Sequence, residues 1–107
     1  MRRAAFALAL IALTAGSTAA QEVGQPEAGR VLAQQICADC HAVLRGQASS
    51  PRAGAPTFER IAAVPRMTAA ALTVALRTSH RTMPNIMLEP PELDNVIAYI
   101  LSLKPGG

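Results

Sequence analysis

The pentapeptide Cys37-Ala38-Asp39-Cys40-His41 is the feature that most constrains this chain. It holds both cysteines of the 107-residue sequence, separated by two residues and followed directly by one of the two histidines. Two cysteines at this spacing can close a disulfide in an exported protein. They can also form the redox-active dithiol of a thioredoxin-like protein. Neither interpretation gives the adjacent histidine a role.

A third interpretation uses all three side chains. Cys-x-x-Cys-His is the attachment motif of c-type haem, in which two thiols add to the vinyl groups of the porphyrin and the imidazole binds the iron. Two intervening residues suit the separation of the vinyl groups, and the histidine must follow at once to lie beneath the iron. The motif therefore predicts one covalent haem c, attached through Cys37 and Cys40, with His41 as an iron ligand.

The first twenty residues have the layout of an export signal. A basic start, Met1-Arg2-Arg3, precedes an apolar run from Ala4 to Ala15, and small residues lead up to Ala20. This order is typical of a cleavable signal peptide, and the run is shorter than the roughly 20 residues that span a bilayer. We expect a signal peptide over residues 1–20 and one periplasmic domain over residues 21–107, with no membrane span after cleavage. Cleavage after Ala19 and an uncleaved anchor are the alternatives.

The composition of the exported part indicates that something other than side chains fills its core. It contains no Trp, and its only aromatic residues are Phe58 and Tyr99. A domain of this size is near the limit at which a hydrophobic core suffices without a staple or cofactor. Its charge is small: ten basic and seven acidic residues give +3, and loss of Arg2 and Arg3 leaves eight against seven, or +1. There is no basic, aromatic-rich stripe, so nucleic-acid binding is not expected.

Capping residues and apolar periodicity predict helices and no strand, so the fold class is all-α. A first helix begins at Pro26 and carries an amphipathic pattern, Val31, Leu32, Gln35 and Ile36, into Cys37. Shorter helices are expected over Thr57 to Ala63 and, after an N-cap at Thr68, over Ala69 to Thr78. The last helix starts at Pro90 and Pro91, repeats Leu93, Val96, Ile97, Ile100 and Leu101, and has Lys104 near its end. Residues 41–56 and 79–90 read as long loops, which suit a bound cofactor.

A haem iron takes ligands on both faces, and four side chains could supply the second: Met67, His80, Met83 and Met87. Met83 is favoured because Pro84 pushes the preceding residue towards an extended backbone that can reach a fixed centre. Met87 lies between Ile86 and Leu88, which favours packing, and Met67 is expected to be surface or core filler. His80 is the alternative that would give a bis-histidine haem.

With these motifs in place, the sequence resembles the class I cytochromes c, the small monohaem electron carriers. Besides the haem motif, the resemblance is carried by Gly29, by Ala55-Pro56-Thr57-Phe58, by Arg81-Thr82-Met83-Pro84 and by the last helix, Asn95 to Leu103. It implies a small cytochrome c fold in which the N- and C-terminal helices cross and long loops wrap around a covalent haem.

The resemblance also implies individual roles. His41 is the proximal ligand, and its other ring N–H donates to a backbone carbonyl, that of Pro56. Met83 is the distal ligand. Gly29 lets the first helix approach the last, with Tyr99 across it. Many members use a Trp to bind a haem propionate, and here Ser49, Ser50, Arg52 and Arg60 are the possible substitutes.

The function expected from the resemblance is electron carriage in the periplasm, by a monomer that is not an enzyme. Its partners are redox proteins, a donor dehydrogenase or reductase and an acceptor oxidase, and docking would use an apolar rim around Ala38, Ala42 and Val43. The alternatives are a dedicated subunit of one dehydrogenase, a haem-based ligand sensor and a dithiol protein without haem.

Overall fold

A computed structural model describes residues 11, 23–78 and 82–106 of the chain. It has four helices: α1 over Pro26–Ile36, α2 over Phe58–Ala62, α3 over Ala69–Arg77 and α4 over Pro90–Ser102. No strand occurs in these residues, so the all-α prediction is confirmed. The expected signal peptide, apart from Ile11, lies outside the described residues, and so does His80.

Helices α1, α3 and α4 begin at the predicted residues, and α2 begins one residue later, after Thr57 as its N-cap. At the starts of α2, α3 and α4, side chains satisfy backbone N–H groups. Thr57 and Thr68 each accept a hydrogen bond at 3.1 Å from the backbone N–H three residues later. At the start of α4, the Glu92 carboxylate accepts a hydrogen bond at 3.1 Å from the backbone N–H of Glu89. The first N–H groups of a helix otherwise lack partners. Both short helices end one residue earlier than predicted.

Helices α1 and α4 cross at Gly29, as the resemblance implies. A Cβ atom built on Gly29 would overlap the Asn95 carbonyl and lie 2.9 Å from the Cβ of Tyr99. Next to the crossing, the backbone N–H of Gln25 donates to Oδ1 of Asn95 at 2.8 Å. Glycine is therefore required at position 29 by the close approach of two backbones, and the expectation for Gly29 and Tyr99 is confirmed.

The buried face of α1 differs from the one that its apolar pattern predicts. Gly29 and Ala33 are its buried residues, whereas Val31 is 45% exposed. Small residues carry little apolar area, so they contribute weakly to a hydrophobic pattern, yet they allow the closest helix packing. The amphipathic pattern that includes Val31 therefore does not mark the buried face of α1.

We expect Gly29→Ala to destabilise the folded protein, although glycine to alanine inside a helix is normally stabilising. The added methyl group would meet the Asn95 carbonyl, which is backbone and cannot turn aside. Forcing extra atoms into a packed interface costs about 1–3 kcal/mol. Thermal unfolding measures the effect, with Gln35→Ala on the exposed face of α1 as the control. A higher melting temperature for Gly29→Ala would contradict the crossing.

The core lies mainly on the inner face of α4, whose buried side chains are Leu93, Val96, Ile97, Ala98, Tyr99 and Ile100. Contacts come from α1, α2 and α3, and each of these helices packs against α4. In the part of the chain that the structure describes, no helix has the length and apolar character to cross a membrane.

Candidate functional site

A cavity of about 530 Å³ opens between α4, the end of α1, α3 and two loops. Its volume falls within the roughly 300–1,000 Å³ typical of cofactor sites. The wall contains every site residue that the sequence predicts: Cys37, Cys40, His41, Pro56 and Met83. Most of the remaining lining is apolar, namely Ile36, Ala53, Ala55, Phe58, Ile61, Met67, Leu72, Ala75, Leu76, Pro84, Ile86 and Ile100. An apolar wall with two thiols, an imidazole and two thioethers fits a covalently attached haem.

The end of α1 places the two cysteines and the histidine in the cavity wall. Cys37 caps the helix, with its N–H donating to the Ala33 carbonyl at 2.9 Å. The Cys37 carbonyl then accepts from the N–H groups of Cys40 at 3.2 Å and His41 at 2.9 Å. These bonds continue the helical turn, so residues three and four apart lie on the same side. Both thiols are free in the structure.

The surroundings of Cys37 do not suit a dithiol oxidoreductase. Such enzymes lower the pKa of the attacking thiol, often at the positive N-terminal end of a helix. Here Cys37 lies at the C-terminal end of α1, where the helix dipole disfavours a thiolate. Burial, together with the neighbouring Cys40, raises the pKa of the Cys37 thiol to about 11. A buried, protonated thiol and the absence of strands among the described residues both weigh against the thioredoxin-like alternative.

The imidazole of His41 makes the contact that the resemblance implies. Its Nδ1 lies 2.6 Å from the carbonyl oxygen of Pro56. A carbonyl oxygen can only accept a hydrogen bond, so this contact assigns the ring proton to Nδ1. In this tautomer of the neutral imidazole the lone pair is on Nε2, and a neutral imidazole nitrogen is the group that binds a metal. The contact also fixes the plane of the ring.

Backbone and aromatic contacts join the two ends of the segment between His41 and α2. The N–H of Phe58 donates to the Ala42 carbonyl at 2.9 Å. The Phe58 ring lies 5.6 Å from the His41 ring and 6.3 Å from the Tyr99 ring, between centroids. The Tyr99 hydroxyl in turn donates to the Val43 carbonyl at 2.5 Å. The sequence predicts no such role for that hydroxyl, which ties α4 to the segment that follows His41.

We expect Tyr99→Phe to lower the free energy of unfolding by about 1–3 kcal/mol, because it leaves the buried Val43 carbonyl without a donor. Chemical unfolding of the purified protein measures this change. Ser102→Ala is the matched control, since the exposed Ser102 hydroxyl also donates to a backbone carbonyl, that of Tyr99. Equal stability of Tyr99→Phe and the parent protein would contradict a structural role for the hydroxyl.

The methionines occupy three different environments. Met83 and Met67 both line the cavity. Met87 does not line it and is 85% exposed. The expectation that Met87 packs in the core was wrong. Residues 84–89 are not helical, and their side chains alternate: Ile86 and Leu88 are half-buried, whereas Met87 between them is exposed. Alternation of this kind is typical of extended backbone. Met83 thus shares the cavity with His41, whereas Met87 does not.

Two further expectations concern polar and apolar residues near the cavity. Of the four residues considered for the propionates, Arg52 lines the cavity, and Ser49, Ser50 and Arg60 do not. The Ser50 hydroxyl instead accepts a hydrogen bond from the Ala42 N–H at 3.0 Å.

The expected apolar docking rim was wrong at two positions, since Ala42 and Val43 are each 2% exposed and belong to the core.

Comparison with known proteins gives two matches and one negative result. The family model described as cytochrome C oxidase, cbb3-type, subunit III matches residues 24–100. Cytochrome c-552 from Bradyrhizobium diazoefficiens is 35% identical over 95 residues, an overlap of 89% of this chain and 88% of that protein. No solved structure matches the chain. The family match includes every residue of the cavity wall.

Proposed function

The chain belongs to the c-type cytochrome family, and on this basis we propose that it is a periplasmic carrier of single electrons rather than an enzyme. In this proposal one haem c is attached through Cys37 and Cys40, and His41 and Met83 are its axial ligands. The observation that carries the proposal is that the wall of the cavity of about 530 Å³ contains these four side chains together with Pro56.

The bound haem would supply reversible one-electron exchange at its iron. The chain contributes the ligands and their orientation. Hydrogen bonding of Nδ1 to the Pro56 carbonyl leaves Nε2 of His41 free to bind and makes it a stronger donor. The thioether of Met83 is a soft, neutral ligand, and His/Met ligation raises the reduction potential. With side chains in both axial positions, no position remains for a substrate.

Arg52 is the residue that we assign to the haem propionates. It is the one arginine or lysine in the cavity wall among the described residues. An arginine can hold a carboxylate with two parallel hydrogen bonds. Its backbone N–H donates to the Cys40 carbonyl at 3.2 Å, which fixes the start of its side chain beside the haem motif.

A spectroscopic redox titration of the exported protein, followed by exposure of the reduced form to carbon monoxide, tests the proposal. We expect a reversible one-electron transition in a haem spectrum and no change on adding carbon monoxide. Rapid carbon monoxide binding would instead indicate an open axial position and a ligand sensor. Fractionation of the producing cells tests the location, and recovery of the protein in the cytoplasm would contradict export.

A dedicated subunit of a larger redox complex is the second candidate. The description of the matched family, an oxidase subunit, favours it. A monomeric carrier and a subunit differ in the size of the native particle and in what co-purifies with it. Size-exclusion chromatography of mild extracts therefore distinguishes them: a carrier elutes at its own mass, whereas a subunit elutes with a larger chain.

A further inference from the structure

Met67 belongs to the cavity wall, although its sequence context suggests only a filler. It lines the same cavity as His41 and Met83 and is half-buried against the hydrophobic core. A thioether is polarisable and makes favourable contacts with aromatic systems. Its place in the wall raises the question of what holds it there.

The backbone that presents Met67 is in an unfavourable conformation. The preceding residue, Arg66, has φ of 63°, in the left-handed region that residues other than Gly, Asn and Asp seldom adopt. On either side the chain is fixed, since the Met67 N–H donates to the Val64 carbonyl at 3.1 Å and Thr68 caps α3. Such strain persists only where surrounding contacts over-determine the conformation.

A further contact to Met67 comes from the segment that follows α4. Nζ of Lys104 donates to the Met67 carbonyl at 2.5 Å, across 37 positions of sequence. Lys104 is half-buried and lies two residues beyond the end of α4. Among the described residues the only ion pair is that of Glu27 and Arg30. The Lys104 ammonium is thus committed to a carbonyl and not to a carboxylate.

We propose that Lys104 is a positioning residue that holds the Met67 thioether against the bound haem. The inference rests on the proposed haem site. A charge-assisted hydrogen bond is stronger than a neutral one. Here it fixes the Met67 carbonyl, which lies between the strained Arg66 and Thr68, the N-cap of α3. The C-terminal segment thereby determines a part of the cavity wall that lies far from it in sequence.

A methionine-methyl NMR spectrum of the reduced holoprotein tests the proposal. Residues 21–107 contain three methionines, Met67, Met83 and Met87, and labelling their methyl carbons with ¹³C gives one signal each. Met67→Leu assigns the Met67 signal by its loss. We expect the porphyrin ring current to move this signal upfield of that of the exposed Met87. We also expect Lys104→Leu to move it back towards the Met87 position.

Arg45→Leu is the matched control. Arg45 also donates from its side chain to a backbone carbonyl, that of Ser102 at 3.0 Å, but it does not line the cavity. Both variants lose stability, whereas only Lys104→Leu shifts the Met67 signal. Lys104→Arg, which keeps charge and donors, leaves the signal in place. Lys104→Gln keeps a hydrogen-bond donor on a shorter side chain, so we expect it to shift the Met67 signal less. It replaces Lys104→Leu in the test if that variant does not fold.

The outcomes separate this inference from the haem proposal. If the Met83 signal is shifted by haem but the Met67 signal stays beside that of Met87, the inference fails and the haem site stands. A Met67 signal that Lys104→Leu leaves unmoved, or that Arg45→Leu moves equally, also overturns it. If no methionine signal is shifted by haem, the proposed function itself fails.

Discussion

Replacing both Cys37 and Cys40 with alanine should abolish covalent haem and most of the folded protein. The cavity of about 530 Å³ would then lack its occupant. Without haem, water enters the open mouth and the apolar wall loses the burial that the cofactor provides. A domain of this size has little other hydrophobic core to compensate for that loss.

The amount of holoprotein exported with a cytochrome c maturation system measures this effect, through haem absorbance per polypeptide. Asp39→Asn is the control, because it lies within the motif and is exposed but carries no thiol. The yield of holoprotein should also fall sharply for each single cysteine variant. A double variant that is exported, folded and as stable as the parent would show that the cavity needs no covalent occupant.

Replacing Met83 with alanine should remove the near-infrared absorption band that thioether ligation gives to ferric haem, and it should lower the reduction potential. Met83 shares the cavity wall with His41, and Pro84 restricts its backbone to the extended region. His80, three residues earlier, is the ligand that could take its place. The variant would then be a low-potential bis-histidine species and not an open site.

Met67→Leu and Met87→Leu are the controls for this assignment, and both should keep the band. Met67→Leu is the sharper one, since Met67 also lines the cavity. Survival of the band in Met83→Ala with its loss in Met67→Leu would transfer the distal role to Met67. Loss in Met87→Leu would require that exposed side chain to turn inwards.

Helix α4 and the haem motif are the parts that the sequence predicts best. Leu93, Val96, Ile97 and Ile100 repeat at helical spacing, and each is buried as that spacing requires. Such a pattern needs only local information. The motif residues are likewise adjacent in the chain, so the turn after α1 brings them into one wall without any long-range contact.

Most features set by contacts between distant residues leave no signal in the local sequence, and the crossing at Gly29 was expected only from the family resemblance. The buried face of α1 is decided by how closely its backbone approaches Asn95, which the apolar pattern around Val31 does not encode. The exposure of Met87 depends on the direction of a loop. The side-chain hydrogen bond of Lys104 to Met67 spans 37 positions and leaves no local signal.

The intact mass of the exported protein tests the central claim most directly. We predict the mass of the polypeptide from residue 21 to residue 107 plus one haem, unchanged after denaturation, because thioether bonds at Cys37 and Cys40 survive unfolding. The mass of the polypeptide without haem, carrying a disulfide between Cys37 and Cys40, would contradict the account.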